Sequence, residues 1–136
     1  MDEATARDRV ARARVARLAT VTAQGRPHLV PCCFALAPGG DALYSAVDAK
    51  PKSTLALRRL DNLRAHPAAS LVVDHYEEDW SALWWVRVDG DGEVLTQGQE
   101  RDGALALLAA KYPQYRRTPP PGPVIALRGL RWRSWP

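Results

Sequence analysis

The sequence predicts a single mainly β domain of the α+β class, an antiparallel barrel with short flanking helices. Three observations predict it. Short runs of β-formers recur between turn signals, they follow one another as hairpins rather than alternating with long helices, and no Rossmann or P-loop glycine pattern marks a βαβ unit.

The elements follow in order. Residues Asp2 to Val15 carry Ala6, Val10 and Ala13 at helical spacing and predict a short amphipathic helix lying on the barrel. Arg17 to Ala23, the turn Gln24-Gly25 and the run Pro27 to Ala37 predict a hairpin. After the breaker Pro38-Gly39-Gly40-Asp41, a third strand is expected over Ala42 to Val47. Lys52 to Arg59 and Asn62 to His66 read as two helical stretches ended by Pro67. Strands are expected over Ala69 to Tyr76 and Leu83 to Asp89, a turn at Gly90-Asp91-Gly92, and a further strand over Glu93 to Gln97. Glu100 to Tyr112 is the strongest helix by composition. Thr118 to Pro123 must be a loop, since its prolines lack the N–H that regular structure needs, and Val124 to Trp132 closes the sheet. That makes six or seven strands and no second domain boundary.

At 136 residues, with 46% hydrophobic and 25% charged side chains, the chain is long enough for one packed core and too apolar for disorder. No apolar run approaches the ~18 residues of a membrane span, and the acidic start Met1-Asp2-Glu3 is unlike a secretion signal, so a cytoplasmic protein is expected. The adjacent Cys32 and Cys33 suit a reducing compartment and read as small hydrophobes, and no metal-ligand spacing is present. Charge is segregated: Asp74 to Asp102 holds nine acidic residues against two arginines, while Gly103 to Pro136 holds six basic residues and no acidic one. A polarised surface with a region suited to an anion follows. Five tryptophans, at 80, 84, 85, 132 and 135, are too many for one small barrel, so some should meet a ligand or partner. Trp84 and Trp85, neighbours on a strand, should face opposite sides.

The segment Asp48-Ala49-Lys50-Pro51-Lys52-Ser53-Thr54 carries the clearest chemistry. A strand ends, two ammonium groups flank a stiffening proline, and hydroxyls open a helix whose N–H groups and dipole favour an anion. Sixteen of the 19 basic residues are arginines, yet two of the three lysines stand here. Lysine offers a compact point charge rather than a bidentate fork.

Arg14 to Pro31, Tyr44 to Lys52 and Leu63 to Asp74 resemble the opening hairpin and the cofactor-phosphate strand, helix and following strand of the pyridoxamine-phosphate-oxidase-like split barrels. Asp74 to Trp80, Leu83 to Gly90 and Arg131 to Trp135 are similar to a branch of that family assigned to the deazaflavin F420 rather than FMN. The resemblance implies a six-stranded antiparallel split β-barrel working as a homodimer, with cofactors between subunits. It implies that Lys50 and Lys52 hold the cofactor phosphate beside Ser45, Ala46 and Ser53, and that His28, Val30 and Pro31 line the ring-side groove. Where the family often has Arg and Lys at this turn, this chain has two lysines.

The implied activity is an F420-dependent oxidoreductase passing hydride between the cofactor and a small unsaturated or conjugated substrate. Such chemistry needs orientation and exclusion of water rather than a protein nucleophile. Tyr76, His75 and His28 are candidate proton donors, each with a structural alternative as an ordinary packed or strand residue. The alternatives are an FMN enzyme on the same fold, a non-catalytic cofactor or haem carrier, and a basic nucleic-acid binder. The last is disfavoured because aromatic and basic residues interleave only at Arg131-Trp132-Arg133.

Overall fold

A computed structural model describes residues 1–47 and 54–136, with side chains described from residue 58 in the second segment. The chain runs α1 (Glu3–Arg12), β1 (Ala16–Val21), β2 (Pro27–Cys32), β3 (Ala35–Leu36), β4 (Leu43–Ala46), α2 (Thr54–Ala65), β5 (Ala68–His75), a 3-10 turn (Trp80–Ala82), β6 (Trp84–Leu95), α3 (Gln99–Lys111), α4 (Pro113–Arg117) and β7 (Val124–Trp135). The seven strands form one sheet in the order β2-β1-β5-β6-β7-β4-β3, with every described pairing antiparallel. The sheet curls into a half-barrel of the split-barrel type. The count of seven lies within the six or seven read from the sequence and is one more than the resemblance implies: the run after Pro27 divides at Cys33-Phe34 into β2 and the two-residue β3, while the two strands expected over 83–97 join as β6.

Local chemistry accounts for the boundaries. Asp2 caps α1 by accepting from the Thr5 N–H at 2.8 Å, which also holds its carboxyl below the usual range. The β1–β2 turn needs Gly25 at φ +81°, and Thr22 clamps it by accepting from the backbone N–H groups of Gly25 and Arg26. Where two helical stretches were expected, α2 is continuous, since Leu60 and Leu63 bury one stripe across the supposed break. The short α4 starts on Pro113 at its first turn and buries Tyr115.

The largest correction concerns Gly90-Asp91-Gly92, which is no turn. β6 runs unbroken through it, and the irregularity lies on β7: Asp89 faces Arg131 and Asp91 faces Arg128, so β7 carries one extra residue. Gly129, at φ +62°, supplies the left-handed conformation such a bulge requires. The glycines of β6 answer to close packing instead. A Cβ on Gly90 would lie 2.7 Å from the Arg128 carbonyl oxygen, and one on Gly92 would lie 2.5 Å from Leu63 Cδ2.

Two hydrophobic clusters sit on opposite faces of the sheet. Inside the curl, Leu18, Leu71, Val73, Val86, Val88, Ile125 and Leu127 pack with Val10 of α1 and Leu60 and Leu63 of α2. On the outer face, Tyr44, Ala46, Val124 and Ala126 are covered by Ala104 and Leu108 of α3 with Tyr112 and Tyr115. Both faces of β4 and of the first four residues of β7 are therefore buried, whereas β7 alternates beyond Leu127. Lys111 closes this corner: its ammonium donates to the Phe34 carbonyl at 2.9 Å and lies 3.9 Å from the Phe34 ring centroid.

Gly90→Ala is expected to destabilise the fold by about 1–3 kcal/mol because backbone, not a flexible side chain, must yield. Gly103→Ala, in α3 with open space around the added methyl, should stabilise by about 0.4–1 kcal/mol. Urea unfolding of the two variants checks both signs. A second expectation concerns pH. Burial, with Arg14 nearby, lowers the Lys111 pKa from 10.5 to about 8, so the unfolded chain binds the proton more tightly. Stability from this group is fully present above 10.5 and is lost as pH falls through 8. Burial raises Tyr112 from 10 to about 12, which opposes the gain only above pH 10. Burial also raises the Cys32 thiol above its ordinary 9, which opposes the gain above pH 9, so from pH 8 to 9 the midpoint of urea unfolding should rise in the wild type and stay flatter in Lys111→Met.

Candidate functional site

Of the three buried side-chain nitrogens without a hydrogen-bond partner among the described residues, Arg101 Nε lies on α3, whereas Arg59 Nε lies near the junction of β2, β4 and α2. Ser45 on β4 is buried and donates to the Cys33 carbonyl at 2.8 Å, and Ala46 beside it is buried in the outer cluster. Burial pushes the Cys32 thiol up, opposed by the Ser45 hydroxyl and by the Arg59 guanidinium, which brings Arg59 of α2 into the same neighbourhood. Arg59 is half-buried, its Nε is inaccessible to solvent, and among the described residues it makes neither a hydrogen bond nor an ion pair. A buried donor left without an acceptor is costly, and an anion at this junction would satisfy the Arg59 Nε–H. Lys50, Lys52 and Ser53, which join β4 to α2, lie outside the described residues.

One helical turn along α2, Asn62 is buried and donates to the Thr20 hydroxyl at 3.1 Å. His28 stands opposite Thr20 in the β1–β2 pair, and its Nδ1 is buried without a hydrogen-bond partner among the described residues. The alternation of β2 turns His28 and Val30 toward the inside of the curl, with Val30 against the inner core, and leaves Pro31 exposed on the outer side. The three residues expected along one ring-side groove thus do not share a face.

A separate groove of about 370 Å³ opens at the far end of β5 and β6. Trp85 and Trp135, cross-strand neighbours, form its aromatic wall, and Val72, Leu83 and Trp84 extend it. Arg17 and Asp74, paired at 3.1 Å, stand on its rim. His75 and Tyr76 both line it, whereas His28, Ser45 and Ala46 do not. The His75 Nε2 lies 2.5 Å from a Glu77 carboxylate oxygen, and its ring is stacked 6.2 Å from that of Trp84. The Tyr76 hydroxyl accepts from the Trp80 indole N–H at 3.4 Å. Such a groove suits a flat apolar group with a polar edge.

The tryptophans divide as the strand geometry requires. Trp84 and Trp132 point inward, under the guanidinium groups of Arg9 and Arg7 at 4.7 and 5.3 Å, while Trp85 and Trp135 point outward. Arg59 was missed by sequence reasoning because Arg58-Arg59 reads as the solvated side of a helix. Its signal was the spacing Arg59-x-x-Asn62, two polar groups on one helical stripe beside Leu60 and Leu63. Among the described residues no group of three or more His, Cys, Asp or Glu could hold a metal ion, and no helix is long and apolar enough to cross a membrane.

Comparison with known proteins agrees with this architecture. Solved structures with the same fold include a conserved hypothetical protein from Mycobacterium tuberculosis, 22% identical with a TM-score of 0.78 over 99% of this chain and 84% of that one. A heme binding protein from Mycobacterium smegmatis is 26% identical with a TM-score of 0.72, covering 94% of this chain and 52% of its own. A FAD-binding protein from Mesorhizobium loti is 20% identical with a TM-score of 0.63 over 100% of this chain and 96% of that one. Among curated proteins the sequence finds no match. The family model described as pyridoxamine 5'-phosphate oxidase matches residues 2–136, and a match over that span, on a half-barrel with an unsatisfied cation beside β4, places this chain in the pyridoxamine 5'-phosphate oxidase family.

Proposed function

We propose that this protein is an F420-dependent oxidoreductase that transfers hydride between the deazaflavin and a small unsaturated or conjugated substrate, acting as a homodimer. The observation that carries the reading is Arg59, a half-buried cation with no anion among the described residues, set between β2, β4 and α2. When bound, the deazaflavin supplies the two-electron chemistry at a ring carbon. The chain's own part is to bind and orient. Arg59 holds the anionic tail, joined by Lys50, Lys52 and Ser53 from the segment that connects β4 to α2, with Ser45 and Ala46 forming the strand side. His28 offers its unpartnered Nδ1 to a polar edge of the ring. Hydride transfer needs ring and substrate in contact, so the aromatic groove that receives the substrate is the one the other copy of the homodimer brings against the ring, and its His75 or Tyr76 supplies a proton there. The similarity of Asp74 to Trp80, Leu83 to Gly90 and Arg131 to Trp135 to the F420 branch favours F420 over FMN.

A second reading, a non-catalytic haem carrier, is favoured by one observation: the similar protein from Mycobacterium smegmatis is a heme binding protein. Parallel titrations of the purified protein with F420, FMN and haem, followed by fluorescence or absorbance, separate the readings. Saturable F420 binding is expected; binding of haem or FMN without F420 overturns the proposal.

Arg59→Ala should weaken F420 binding about ten- to a hundredfold, as loss of charge-assisted hydrogen bonds to a phosphate implies. The same variant should unfold at no lower urea concentration than the wild type, because the guanidinium it removes makes no hydrogen bond or ion pair among the described residues. A destabilised Arg59→Ala that still binds F420 normally would make Arg59 a packing residue instead.

A further inference from the structure

The last turn of α3 gathers cations that no carboxylate answers among the described residues. Arg14, in the link between α1 and β1, donates to the Lys111 carbonyl at 3.0 Å, and Arg116 of α4 donates to the carbonyls of Ala109 and Ala110 at 2.7 and 3.2 Å. Cations are favoured at the C-terminal end of a helix, which is why both guanidinium groups are held there. Both residues are exposed, and neither makes an ion pair among the described residues.

Lys111 shares this turn. Its ammonium donates to the Phe34 carbonyl and rests against aromatic rings, 3.9 Å from the centroid of Phe34 and 5.2 Å from that of Tyr112. The Arg14 guanidinium lies 4.8 Å from the centroid of the same Tyr112 ring. Two cations thus meet one tyrosine with no carboxylate paired to either, and Lys111 is only half-buried, so solvent and small solutes reach it.

An amine in this setting is a nucleophile. Burial, with Arg14 beside it, brings the Lys111 pKa down from 10.5 to about 8, against the pull of the Cys33 and Cys32 thiols. At pH 8 about half of such amines are free base, whereas an ordinary lysine is less than about 1% so. The guanidinium groups select the electrophile: an acyl group carried on phosphate, whose oxygens match the forked, charged donors of arginine. Burial also favours the product. Acylation removes the charge that desolvation opposes and leaves an amide N–H able to meet the Phe34 carbonyl.

We propose that Lys111 is an acylation site for small acyl phosphates, which Arg14 and Arg116 recognise by their phosphate. The free amine nitrogen attacks the acyl carbon and forms an amide bond. The bond from that carbon to the phosphate oxygen breaks, phosphate leaves with the electron pair, and the nitrogen loses one proton to solvent.

The test treats the full chain with acetyl phosphate at pH 8 and follows each lysine by peptide mass spectrometry. Lysine occurs only at 50, 52 and 111, so Lys111 is read separately. Its acetylation in the folded protein is expected to run more than about tenfold faster than at the same residue in the chain unfolded by guanidinium chloride, from the difference in free-base fraction. The anion preference is read as the rate with acetyl phosphate divided by the rate with uncharged acetic anhydride, a ratio in which any change of free-base fraction cancels. Arg14→Gln with Arg116→Gln should lower that ratio at least about fivefold. In the wild type, inorganic phosphate at constant ionic strength should slow acetyl phosphate and leave the anhydride rate unchanged, a reading that needs no variant. A Lys111 that reacts no faster folded than unfolded overturns the site, and a wild-type ratio untouched by inorganic phosphate overturns its recognition of acyl phosphates.

Discussion

A curled sheet has two faces to cover, and this chain has helices enough for the inner face and for only part of the outer one. Inside, α1 and α2 close over Leu18, Leu71, Val86 and Val88, each burial being of the order of 1.5–3 kcal/mol. Outside, α3 and α4 reach β4 and the first turns of β7, so those strands bury residues on both faces and lose the alternation of a half-exposed strand. Among the described residues, no helix covers the remainder of the outer face, from β2 across to the end of β7. The position of the aromatic groove and the exposure of Trp135 both follow from that one shortage of cover.

The β7 bulge sets which residues occupy the bare face. Val124, Ala126 and Arg128 point outward before it, and without the extra residue at Gly129-Leu130 the outward positions would continue as Leu130, Trp132 and Ser134. The added residue reverses the parity, so Arg131, Arg133 and Trp135 face outward while Leu130 and Trp132 join the inner core. Upstream of the bulge, Arg128 is fully answered by Glu93 at 3.1 Å and Glu100 at 2.5 Å, and Glu100 in turn accepts from Tyr44. These contacts hold the Glu100 carboxyl below its usual range. The contrast between Arg128 and Arg59 is informative: one cation sits in a complete network that ties α3 to the sheet, the other is half-buried and its Nε has no hydrogen-bond partner among the described residues. An unsatisfied buried donor costs about 1–3 kcal/mol, and a fold retains one where a ligand offsets it.

Local signals were readable where chemistry acts over a few residues. The β1–β2 hairpin followed from Gln24-Gly25 between β-formers, α3 from its leucine and alanine content, and the opposed tryptophans from strand alternation. Reading failed where a local signal had a distant cause. Gly90-Asp91-Gly92 looks like a turn because glycine is usually selected for backbone freedom, but here it is selected for the nearness of the Arg128 carbonyl and the Leu63 side chain. Arg59 was not singled out because nothing adjacent in sequence tells which side of α2 meets the sheet.

The sequence by itself determined the fold class, the family and the elements whose signals are periodic: an alternating strand, an amphipathic helix and a glycine turn each depend on neighbours within a few positions. Only the tertiary structure decided which polar groups go without partners and which face goes without cover. Satisfaction and burial are properties of pairs far apart in the chain, such as Asn62 with Thr20 or Arg128 with Glu93, and no spacing along one segment encodes whether such a pair will form.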